Sequence, residues 1–119
     1  MGRKNLVYDY KPIDTEDMSQ ASITGQPSDV SQYDVVTYEV SWSGGQATNG
    51  NIEIEYSKDG KSWKTLPLDR TPALNTASDT HLIIITEIGF KYLRPKYTRT
   101  NALASGYLTV GIFQSNKGA

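Results

Sequence analysis

The chain has 119 residues, enough for one domain with a buried core. It contains no cysteine, so disulfides, thiolate nucleophiles and thiolate metal sites are excluded together. A formal net charge of -1 provides no long-range field to gather nucleic acid or an anionic membrane, and no run approaches the ~18 apolar residues that span a bilayer.

In chain order, Met1–Leu6 opens with positive charges that no apolar stretch follows, which argues against a secretory leader. Leu6–Tyr10 reads as a short strand stopped by Pro12. Asp14–Ala21 offers only Met18 and Ala21 as an apolar face and reads as a loop or single turn; Ala21–Thr24 is a further strand. Asp34–Ser43 alternates cleanly, which places Val36, Tyr38, Val40 and Trp42 on one buried face. Asn51–Ser57 repeats the pattern with Ile52, Ile54 and Tyr56 inward and Glu53 and Glu55 in solvent.

A turn with Asp59-Gly60 at its tip then leads into Trp63–Leu68, and Gly supplies the positive φ that such a turn requires. Asp69–Asp79 is polar and interrupted by proline, as surface loops are. His81–Thr86 is apolar on both faces, as in a strand covered on both sides. Phe90–Thr100 contains Pro95, which denies a ladder hydrogen bond and predicts an edge or bulged strand. Tyr107–Gln114 closes the domain with Leu108, Val110 and Ile112 inward and Tyr107, Thr109 and Phe113 on the other face. Roughly eight short strands separated by turn residues predict an all-β fold, an antiparallel β-sandwich or jelly roll. Residues 1–15 form an N-terminal arm or edge strand and 16–119 a single sandwich domain.

Candidate chemistry is sparse. His81 is the lone histidine and opens a run of strand apolars, a poor position for a catalytic base; a zinc site needs three or four His or Cys ligands. Asp14, Glu16 and Asp17 lack the glycine-spaced loop of a calcium site and read as a solvated acidic turn. We therefore expect no catalytic residue, metal ligand or cofactor. In Lys91–Arg99, Tyr92, Arg94 and Lys96 share one face and Leu93, Tyr97 and Arg99 the other. Cations interleaved with aromatics suit single-stranded nucleic acid, yet at this net charge the better reading is a charged edge strand that resists unwanted pairing. Pairing of this basic strand with the acidic strand Asn51–Ser57 of a neighbouring copy is a third reading. With aromatics at 10%, the chain also admits a glycan stacked on Trp63.

Taken in order, Tyr38-Glu39-Val40-Ser41-Trp42-Ser43-Gly44, Ser57-Lys58-Asp59-Gly60-Lys61-Ser62-Trp63, Tyr92-Leu93-Arg94-Pro95-Lys96-Tyr97-Thr98-Arg99-Thr100 and Gly106-Tyr107-Leu108 form a progression over residues 18–113. It resembles the small β-sandwich proteins encoded among the virion genes of bacterial viruses. Ser43 stands where that pattern carries threonine, and Leu6–Pro12 has no counterpart in it. The resemblance implies a non-enzymatic virion protein, capsid- or tail-associated and made in the host cytoplasm. Its partners would be other copies of itself and other virion proteins, with neither membrane nor nucleic acid among them. Interface candidates are Leu6, Tyr8, Tyr10, His81, Ile83, Ile85, Tyr92, Arg94, Lys96, Tyr107 and Phe113. The alternative is a carbohydrate-binding or host-attachment module of the same fold.

Overall fold

A computed structural model of the chain describes residues 5–8, 11–46, 48–68, 71–86 and 88–116, with side chains from 11 to 115. The alternation in β5 (Val35–Ser43) buries Val36, Tyr38, Val40 and Trp42 and turns Thr37, Glu39 and Ser41 outward. Antiparallel to it on one side runs β11 (Tyr107–Asn116), whose Leu108, Val110 and Ile112 are buried; on the other lies β9 (Asp79–Ile85). The far side of β11 carries two short segments in line, β1 (Asn5–Tyr8) opposite Phe113–Asn116 and β2 (Ile13–Asp17) opposite Tyr107–Val110.

The second sheet is centred on β6 (Gly50–Ser57) and β10 (Tyr92–Arg99), flanked by two more broken lanes. One consists of β3 (Ser22–Thr24) and β4 (Ser28–Asp29) beside β10, the other of β7 (Lys64–Thr65) and β8 (Ala73–Leu74) beside β6. With each broken lane counted once, the sheets hold four lanes apiece. The first runs in chain order one, eight, three, six and the second two, seven, four, five, which is the winding of a jelly roll. The all-β, antiparallel sandwich expected from the sequence is the observed fold. Its inner faces meet through a core that includes Tyr38, Tyr97, Ile52, Ile54, Leu93 and Leu108.

Several elements differ from the sequence reading. Residues 14–17 are extended, not looped: β2 brings Ile13 into the core, so the boundary drawn at residue 15 falls inside a strand. The stretch read as a loop over 69–79 contributes β8, whose Leu74 is fully buried. Trp63–Leu68 contains only the two-residue strand β7. Strand β10 is interior, not an edge. The Pro95 carbonyl accepts a hydrogen bond from the Gly25 N–H at 2.8 Å on the side away from β6. In an antiparallel ladder a residue's N and C=O face the same neighbour, so the missing donor also points away from β6, into the gap between β3 and β4. Pro95 stays in register with Ile54 and costs the β6 ladder nothing.

Candidate functional site

The outer face of the second sheet carries the basic stretch singled out in the sequence. Register places Arg94 opposite Glu55 and Lys96 opposite Glu53. Arg94 Nε donates to Glu55 Oε1 at 2.7 Å, and its guanidinium lies 4.0 Å from the centroid of the Trp63 ring. The acidic strand that answers the cations thus belongs to the same chain, and Glu55 is buried under this assembly instead of standing in solvent. Tyr92 is half-buried beside Gly60, with the Lys91 ammonium 5.4 Å from its ring centroid. Arg94 occupies one face of the half-buried Trp63 ring.

The outer face of the first sheet is zoned. Toward the middle of β9, Leu82 and Ile84 are each 58% exposed, while Ile83 and Ile85 point into the core. The register explains the division: Ile83 pairs with inward Tyr38 and Ile85 with inward Val36, so their neighbours point out. The strand read as covered on both faces is covered on one. Ile83 and Ile85 are therefore core residues, and the outward residues of this strand are Leu82 and Ile84. Phe113, half-buried, faces Thr37, which in turn faces Ile84, extending an apolar band across the sheet. The backbone of Leu6 pairs with Ser115 and that of Tyr8 with Phe113; their side chains, and Tyr10, lie outside the described residues.

At the other end of this sheet a groove of about 540 Å³ is lined by Thr15, Ser41, Trp42, Ser43, Ser78, Asp79, Thr80, Tyr107 and Thr109. His81 stacks on Trp42 at 5.6 Å between ring centroids and lies 3.3 Å from an Asp79 carboxylate oxygen. Thr15 has φ 52°, a left-handed conformation rare for a β-branched residue, at a register shift between Leu108 and Val110 of β11. Alternation along the chain gave no sign of this groove, because its residues come from four lanes and one loop.

No family model matches the chain, and no curated protein matches it. Among solved structures it is similar to the SPBc2 prophage-derived protein YomS, with 12% identity over 98% of this chain and 97% of that one and a TM-score of 0.66. That likeness is one of fold. A CBM35 module from Cellvibrio japonicus Abf62 aligns at 10% identity over 98% of this chain and 100% of its own, TM-score 0.45. Dimeric latent PorU from Porphyromonas gingivalis aligns at 11% identity over 96% of this chain and 13% of its own, TM-score 0.44.

Among the described residues no group of three or more His, Cys, Asp or Glu side chains is placed to hold a metal ion. Among the same residues no helix is long and apolar enough to cross a membrane.

Proposed function

We propose that the chain is a non-enzymatic structural protein of a phage particle, capsid- or tail-associated, that acts through interfaces with other copies of itself and other virion proteins. The observation that carries this reading is β9. Among the described residues it is an edge strand seven residues long. The other three sheet edges are broken into short segments, with prolines at 12, 27, 67 and 72 in or beside the breaks. Natural sheets blunt their edges with charges, prolines or short strands to prevent pairing. Thr80–Ile85 contains neither Lys, Glu nor Pro and adds outward Leu82 and Ile84, the composition of an edge meant to be covered. The prophage origin of YomS and the ordered motifs of the sequence support a place in a phage particle.

Leu82→Asp with Ile84→Asp tests the reading without touching the core, since both side chains are exposed. Burying two such side chains at an interface contributes about 3–6 kcal/mol, so the double variant is expected to weaken self-association by at least ~100-fold while keeping its fold. Association unchanged in this variant would refute the assignment of β9.

A further inference from the structure

The groove at the Tyr107 end lies apart from the apolar band and has a chemistry of its own. Thr109 faces Ser41 and Ser41 faces Thr80 in register, and the Thr15 N–H donates to Thr109 Oγ1 at 3.1 Å. Four hydroxyl residues thus form one row across all four lanes of the sheet, about 14 Å long at the usual strand spacing. Thr109 Oγ1 accepts from the Thr15 backbone, and the Ser41 hydroxyl donates to the Thr109 carbonyl at 3.5 Å. The wall formed by Ser78, Asp79 and Thr80 is tied to the core, because Trp42 Nε1 donates to the Thr76 carbonyl at 2.9 Å. Tyr107, 55% exposed, provides a flat aromatic flank.

Among the described residues no lysine or arginine lines the groove, so an anionic ligand would meet no counter-charge there. The lining instead offers a row of hydroxyl groups and one exposed ring. A ligand that answers both is neutral, dense in hydroxyls and flat on one face. We infer that the groove binds a neutral oligosaccharide, laid along the row of Thr15, Thr109, Ser41 and Thr80. Tyr107 stacks on a sugar face and the hydroxyl row exchanges hydrogen bonds with the sugar's own hydroxyls. This site is distinct from Trp63, which lies on the other sheet with Arg94 over one of its faces.

The test is an NMR titration of the full chain with cellohexaose, maltohexaose, chitohexaose and mannohexaose in turn. At least one is expected to shift the amides of Ser41, Thr80, Tyr107 and Thr109. Tyr107→Ala should weaken that binding about tenfold, the loss of one stacking platform. Ser41→Ala provides the same readout should the tyrosine variant fail to fold, and Trp63→Ala should leave binding unchanged. No response in the groove to any of the four sugars overturns the inference. So does binding that survives both groove variants, or that is lost with Trp63→Ala instead. Running the series also on the Leu82→Asp, Ile84→Asp variant separates sugar binding from assembly.

Discussion

The turn at residues 57–62 is organised by one carboxylate. Asp59 Oδ1 accepts from the Lys61 N–H at 2.8 Å, from the Ser62 N–H at 3.0 Å and from the Ser57 hydroxyl, while Gly60 takes φ 77°. The backbone N–H groups of Ser62 and Lys61 hold the Asp59 carboxyl below its ordinary value of 3.8. Asp17 and Asp29 are lowered likewise, chiefly by the Ser19 backbone N–H and the Ser31 hydroxyl. A carboxyl lowered on folding stabilises the fold above its unfolded pKa and loses that contribution as pH falls through the folded value. Asp59→Ala should therefore melt below the wild type at pH 7, and the gap should close as the pH falls below about 4. A gap that is constant with pH would show that the charge is irrelevant. Tyr97 acts in the buried core, where its hydroxyl donates to the Met18 carbonyl at 2.8 Å and burial pushes its pKa up. Tyr97→Phe removes that donor and is expected to cost about 1–2 kcal/mol in chemical denaturation. Thr15 stores strain: a left-handed β-branched residue costs about 1–2 kcal/mol, so Thr15→Gly should gain up to ~1 kcal/mol after its own entropic penalty.

At the scale of elements, the packing of β10 depends on a close approach. A Cβ added at Gly25 would stand 2.6 Å from Pro95 Cγ, whereas one added at Gly89 meets nothing within 4 Å. Gly25→Ala should therefore cost about 1–3 kcal/mol, with Gly89→Ala as the near-neutral control; equal effects would contradict the gap account of Pro95. The same comparison shows what the sequence could convey. The faces of β5 and β11 were legible because their residues alternate in polarity. Pro95 pointed correctly to a ladder with one donor missing. Which neighbour lacked that donor depended on the break between β3 and β4, a feature of topology. In β9, leucine and isoleucine fill both faces, so no alternation exists to read, and only the register against Tyr38 and Val36 separates Ile83 and Ile85 from Leu82 and Ile84. The two-residue strand β8 is too short for any period, and Glu55 keeps its outward position but is covered by Arg94, a long-range partner.

For the whole molecule, the two outer faces have different characters. One sets its charges against each other, with Arg94 bonded to Glu55 and Lys96 in register opposite Glu53. The other divides into an apolar band at Leu82 and Ile84 and a hydroxyl groove at Tyr107. Removing residues 1–15 would take Ile13 from the core together with the arm, so a truncation that probes the arm alone should stop before Pro12. The central claim is association through the apolar band. Light scattering of the full chain over a concentration series, beside the Leu82→Asp, Ile84→Asp variant, tests it most directly. We predict a discrete closed oligomer for the wild type and a folded monomer for the variant. A wild type that stays monomeric at every concentration would contradict the claim.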